Sequence, residues 1–251
     1  MKRVPLPIVL LLTGVFSTFS FFCPGNSFAA AVLLHQYNFE NGVTDQVGSA
    51  NATLMGGATV SGGKLILDGV NDYAQFATLI IPSSGSYSVA LRVQEIIPRN
   101  YFYAELISQG VSGASFYFGF NDQNNIRLGD SFGTGVPFPT DGAYHMYAAV
   151  VDAVSNTTSL YIDGELRATK NSAIPSTATD PSGYTRLGRQ FGTHEEYFHG
   201  NIDDVWIYSG ALSASDVGNL HSAPVPEPGT MMLLGSGLVG LVGYGRRRFM
   251  K

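Results

Sequence analysis

Apolar and polar residues alternate over short stretches through most of the chain, and clusters of Gly, Asn, Asp and Ser separate the stretches. A period of two over about four to eight residues is the mark of a strand with one buried face. It predicts strands over Lys64 to Leu67, Tyr73 to Phe76, Ser88 to Val93, Glu105 to Ser108, Ser115 to Phe120 and Ile126 to Leu128. Tyr144 to Val151 and Ser159 to Ile162 flank the polar turn Asp152 to Thr157 in a hairpin pattern, and Asp163-Gly164 turns the chain again into Glu165 to Ala168. No long helical period interrupts the series. So many short strands bury their apolar faces by packing two antiparallel sheets together, which predicts an all-β sandwich.

Both ends break the alternation. Lys2 and Arg3 precede an apolar run from Val4 to Phe22, and Ser27-Phe28-Ala29 supplies small residues at the positions a signal peptidase reads, so residues 1–30 are expected to be a signal peptide. At the other end a second apolar run, residues 230–245, would span about 24 Å as a helix, a little under a hydrocarbon core of about 30 Å. Arg246, Arg247, Arg248 and Lys251 follow it and would stay on the cytoplasmic side, which exports everything upstream. One sandwich domain over residues 31–223 is expected between the two ends.

Setting the ends aside changes the charge. Six of the fourteen Lys and Arg lie in them but only Glu227 of the nineteen acids, so the middle carries eight basic against eighteen acidic residues, a net charge of −10. Nucleic acid is a poor partner for such a surface, since phosphate recognition needs clustered Lys and Arg. Divalent cations and neutral glycans suit it better. The only cysteine, Cys23, lies in the first apolar run, so no disulfide is expected to stabilise the domain.

Val225-Pro226-Glu227-Pro228-Gly229, the apolar run and the arginines, in that order, resemble the PEP-CTERM sorting signal of bacterial surface proteins, here over residues 224–251. The resemblance implies recognition by a membrane protease, an exosortase, with Pro226, Glu227 and Pro228 as the processing residues. An ordinary single-pass anchor is the alternative. Four further segments resemble the LamG-like jelly roll of the concanavalin A-like lectin/glucanase fold: Tyr37-Asn38-Phe39-Glu40, Leu67-Asp68-Gly69-Val70-Asn71-Asp72-Tyr73, Leu160 to Leu166, and Gly200 to Tyr208 followed by Ala211-Leu212-Ser213. That resemblance implies a curved face, often a calcium site, and binding of carbohydrate or protein.

In Ile202 to Tyr208, alternation puts Asp203 on the interior face with Val205 and Ile207, and Asp204 on the face of Trp206 and Tyr208. An interior carboxylate needs backbone donors or a metal. In related jelly rolls an acid near the first strand and an Asp in the last share a structural Ca²⁺, and Glu40 and Asp203 occupy those places, though Ca²⁺ wants six to eight oxygens. The alternative is that Asp203 only accepts backbone hydrogen bonds. Asp68-Gly69 and Asp163-Gly164 read as turn chemistry.

A sugar site would draw on aromatic faces. Tyr101 to Tyr103, Phe116 to Phe118, Tyr184, Tyr197 and Trp206 are available, and the sequence singles out none of them. Catalytic patterns fail on context. Gly129-Asp130-Ser131-Phe132-Gly133 imitates a nucleophile elbow, but Thr134 to Thr140 reads as a Gly/Pro loop where a helix is required. His194 and His199 are five apart, one more than a helical zinc motif allows, and the segment reads as an exposed loop. The spaced acids of the glucanases sharing this fold, Glu-x-Asp-x-x-Glu, do not occur. The expectation is an exported, non-catalytic binding module for extracellular polysaccharide or matrix; a structural or adhesion protein that binds protein or itself is the alternative, and a polysaccharide-cleaving enzyme the weakest.

Overall fold

Strands form where the alternation places them. A computed structural model describes residues 30–96, 103–111, 116–129, 131–175, 183–190 and 195–223. In chain order the elements are β1 (Val32–Tyr37), β2 (Ala52–Met55), β3 (Thr59–Val60), β4 (Leu65–Asp68), β5 (Tyr73–Phe76), β6 (Tyr87–Glu95), β7 (Ala104–Gly110) and β8 (Phe116–Phe120). They continue with β9 (Asn125–Leu128), β10 (Phe132–Pro137), β11 (Tyr144–Asp152), β12 (Thr157–Ile162), β13 (Glu165–Lys170), β14 (Tyr184–Leu187), β15 (His199–Ser209) and the helix α1 (Ala214–Ser222). The signal peptide through Ala29, Pro226, Glu227 and Pro228, and the apolar run 230–245 lie outside the described residues. Among the described residues no helix is long and apolar enough to cross a membrane.

All pairings are antiparallel and fall into two sheets. One runs β13-β12-β11-β6-β15-β4-β3, with β1 also paired to β15; the other runs β10-β9-β8-β7-β14-β5-β2. Period-two faces meet between them. Tyr87, Val89, Leu91 and Val93 of β6, with Val205 and Ile207 of β15, pack against Phe116, Phe118 and Phe120 of β8 and Ile126 and Leu128 of β9. Burial of this kind is worth roughly 1.5–3 kcal/mol per large side chain, and the expected jelly-roll sandwich is observed.

The turns carry out their chemistry. Asp163 (φ 52°) and Gly164 (φ 81°) both sit in the left-handed region, as a two-residue hairpin turn that follows strand twist requires. Asp163 does more than turn: its carboxylate accepts from His145 Nδ1 at 2.7 Å and from the Met146 N–H at 2.9 Å.

Two expectations need correction, and one short element was not foreseen. Residues 134–137 of the expected loop belong to the edge strand β10, where Pro137 pairs with Asn125, and only 138–140 lie outside any element. The histidine-rich segment is not an exposed loop throughout: Phe198 is fully buried and His199 starts β15. A helix is also present. Ser213 caps α1 in a reciprocal box with Asp216, too short a signal for a periodicity search.

The helix α1 packs by Val217 on the outer face of the first sheet, over Ala90, Met146, Ala148 and Trp206. Arg92 Nη2 donates to the carbonyls of Leu220, His221 and Ala223 at 3.1, 3.2 and 2.9 Å, and its guanidinium lies 5.5 Å from the Trp206 ring. One side chain thus caps the helix and pins it to the sheet. Ala30, Ala31 and Ala223 line one hollow beside α1, so the two ends of the folded unit emerge side by side.

Candidate binding face

The outer face of the second sheet collects charged and aromatic side chains from five neighbouring strands, β9, β8, β7, β14 and β5. Alternation sends Glu105, Arg127 and Arg186 outward, since each stands between residues of the interior. Register then brings them together. Arg127 lies opposite Gly119, and Gly119 opposite Glu105; one row along, Tyr117, Ser108, Arg186 and Gln75 are successive neighbours across β8, β7, β14 and β5.

Gly119 makes the first row possible. A Cβ there would lie 2.1 Å from the Ala104 carbonyl oxygen and 2.3 Å from Glu105 Oε2. With no side chain in the way, the Arg127 guanidinium lies over the Tyr103 and Tyr117 rings at 4.6 and 4.5 Å. Its Nη2 donates to Glu105 Oε1 and, at 2.7 Å, to Glu196 Oε2. Burial pushes the Glu105 carboxyl well above the usual carboxylate range, and Glu196 adds to the rise while Arg127 opposes it.

The second row is less compensated. Arg186 is only 8 % exposed; its Nε donates to Gln75 Oε1 at 3.0 Å, and its Cζ lies 5.5 Å from the Tyr184 ring. Arg189 stands nearby, 4.9 and 5.2 Å from the rings of Tyr73 and Tyr197. Burial and the like charge of Arg189 both lower the Arg186 pKa. Three buried atoms of this face, Glu105 Oε2, Arg127 Nε and Arg186 Nη1, have no hydrogen-bond partner among the described residues, and Gln190 Oε1 in the chain leaving β14 is a fourth. Buried polar atoms are normally satisfied, so a cluster of exceptions marks a place where a ligand can supply the partners. Of the aromatics available in the sequence, Tyr103, Tyr117, Tyr184 and Tyr197 line this face. Phe116 and Phe118 belong to the core, and Trp206 lies under α1.

The expected pair Glu40 and Asp203 sits on the other sheet, and Asp203 does not face the interior. Register shifts between Ile202 and Val205, because β15 leaves β4 after Ile202 and takes β1 as its neighbour from Val205. This bulge holds Asp203 and Asp204, and it turns both outward. Asp203 lines a hollow of about 310 Å³ with Arg92, Tyr144 and His145, and Asp204 Oδ2 lies 3.8 Å from Arg92 Nη1. Burial raises the pKa of Asp203, helped by Glu40 and opposed by Arg92; burial, Asp203 and Glu40 push Asp204 up to about 6. Glu40 is therefore within electrostatic reach of both. Oxygen donors of this kind suit a hard cation, but among the described residues no three His, Cys, Asp or Glu side chains converge as ligands.

The chain belongs to the concanavalin A-like lectin/glucanase superfamily, which it matches over residues 68–218, and residues 224–248 match the PEP-CTERM protein-sorting motif. That motif implies export and processing by an exosortase at the membrane. No curated protein matches the sequence. Among solved structures it resembles domain 4 of AbnA, a GH43 extracellular arabinanase from Geobacillus stearothermophilus, solved with arabinotriose: TM-score 0.64, 21% identity, 77% of this chain and 100% of that one. It also resembles the binding domain of botulinum neurotoxin DC in complex with rat synaptotagmin II, at TM-score 0.58 and 14% identity, covering 76% of this chain and 51% of the toxin domain. These similarities establish the sandwich fold.

Proposed function

We propose that this chain is an exported, non-catalytic module that binds extracellular polysaccharide through the tyrosine and arginine face of the second sheet. The unpartnered Nη1 of Arg186 beside the exposed ring of Tyr184, with the partly exposed Tyr103 and Tyr197 near it on the same face, carries the reading. Aromatic faces stack on pyranose rings, and unmet donors and acceptors take hydroxyl groups. The arabinanase domain solved with arabinotriose supports a glycan as ligand for this fold. A glycosidase carboxylate has to touch the anomeric carbon. Glu105 is wholly enclosed, and both it and Glu196 are held by one guanidinium nitrogen, which favours binding over cleavage.

The test is retention of the full-length chain, in detergent, on a panel of immobilised polysaccharides, with release of reducing ends assayed in parallel. Retention without release is expected, with Tyr184→Ala weakening it roughly three- to tenfold. Release of reducing ends would make it an enzyme. No retention together with self-association would favour an adhesion protein. The proposal extends to a Ca²⁺ at Glu40 and Asp203: calcium should raise the melting temperature of the chain, a chelator should reverse it, and Glu40→Gln should abolish the response. A melting temperature indifferent to calcium would remove the ion from the reading.

A further inference from the structure

The second row of the binding face has an imbalance that a neutral sugar would not resolve. Arg186 is 8 % exposed and has no ion pair among the described residues; of its guanidinium, Nε is engaged by Gln75 and Nη1 by nothing. Among the described residues, the carboxyl groups of Glu105 and Glu196 on this face are both committed to Arg127. Arg189, the nearest charge, has the same sign and sits between Tyr73 and Tyr197. Eight basic residues serve the whole exported part, and three of them, Arg127, Arg186 and Arg189, stand on this one face of a domain whose net charge is −10. A buried guanidinium without an anion is costly, and replacing such a group by an apolar one of similar size commonly stabilises a protein. Retaining it makes sense where an anion from outside completes the site.

We propose that Arg186, with Arg189 beside it, binds the carboxylate of a uronic acid residue in the polysaccharide. The inference rests on the glycan reading above and adds the chemistry of the sugar. A planar guanidinium matches a carboxylate through paired N–H donors. Tyr184, 39 % exposed and lying over Arg186, offers a ring on which the same sugar can stack, so one residue presents its apolar face to the tyrosine and its C6 carboxylate to the arginine. Phosphate or sulfate would also meet the charge, but neither is fixed to a pyranose ring at the reach a C6 carboxylate has.

The domain's overall charge makes the proposal testable. Long-range electrostatics repels a polyanion from a surface at −10, so attraction must come from the local site. The experiment measures the affinity of the full-length chain, in detergent, for alginate, polygalacturonate and hyaluronate, each against its own carboxyl-reduced form. At least one acidic polymer should bind roughly tenfold or more tightly than its reduced form. The preference should persist at about 0.3 M salt, where the overall repulsion is screened. Arg186→Met should erase the preference without lowering the melting temperature, and Arg167→Gln, on the exposed β13 of the other sheet, should leave it intact. Equal affinity for acidic and reduced polymers would overturn the inference while the glycan reading stands. Binding to none of the six, with neutral glucans retained, would do the same; binding to no polysaccharide at all would remove both. A preference that survives Arg186→Met, or that Arg167→Gln also erases, would show that the carboxylate is not read here. Dextran sulfate competing as well as the uronan would replace the uronate by sulfate.

Discussion

Gln109 is wholly buried in β7, and its one amide serves a whole loop. Oε1 accepts from the N–H groups of Ile80 and Ile81 at 2.9 and 2.8 Å and from the Thr185 hydroxyl, and Nε2 donates to the Ile81 carbonyl at 2.8 Å. Gln109→Leu fills similar space but strands the Ile81 N–H and carbonyl and the Thr185 hydroxyl, while the Ile80 N–H keeps Thr185 Oγ1, so the chain should lose about 2–4 kcal/mol in denaturant melts, far more than an exposed Gln would cost. A loss under 1 kcal/mol would mean that water takes over the loop. This role was not legible in the sequence, where the strand pattern ends at Ser108. Glu105, Arg127 and Arg186 were half legible. Each alternates with core residues, which fixes the side it faces, but strands β7, β9 and β14 are far apart in the chain, and only sheet order puts these residues on one surface. Gly119 gave no signal at all: the need for an absent side chain arises from Ala104 and Glu105 on the neighbouring strand β7. Gly119→Ala should therefore cost about 2–3 kcal/mol by forcing a methyl group against the Ala104 carbonyl, measured in the same melts.

At the scale of elements, most strands were readable and the junctions were not. The hairpin of β11 and β12 and the Asp163-Gly164 turn are local, so alternation and turn chemistry suffice. The bulge in β15 is set by a neighbour change from β4 to β1, a tertiary event, and it reverses the side on which Asp203 emerges. Its acids give a pH signature. The folded state holds Asp204 at about 6, above its ordinary value near 4. Between those values the folded state binds the proton and the unfolded state does not, so this group's contribution falls as pH rises through the window and stays lost above it. Asp204→Asn should thus stabilise the chain at pH 7.5 by on the order of 1 kcal/mol and give no gain near pH 4. Melting curves at the two pH values decide it; an equal effect at both would assign the change to packing. The helix α1 depends on Arg92 in a different way. Arg92→Met removes three hydrogen bonds to its final carbonyls, and hydrogen exchange over residues 214–222 should quicken about ten- to hundredfold while the sheets stay protected.

Over the whole molecule, the two outer faces of the sandwich differ in what they carry. The first sheet carries α1 and the bulge acids outside; the second carries the tyrosines and arginines. Fold class, export signals and net charge could be read from the sequence because each depends on composition or on short-range pattern. The difference between the two faces could not, since it needs the sheet order. The side-by-side emergence of Ala30, Ala31 and Ala223 next to α1 bears on how the domain is presented. Whatever holds the chain beyond Ala223 tethers it on the helix side, and a sheet spacing and a helix layer of about 10 Å each stand between that point and the tyrosine face. On the proposed reading, a copy tethered there would keep its tyrosine face on the side away from the point of attachment, so that binding a polymer would not require prior release.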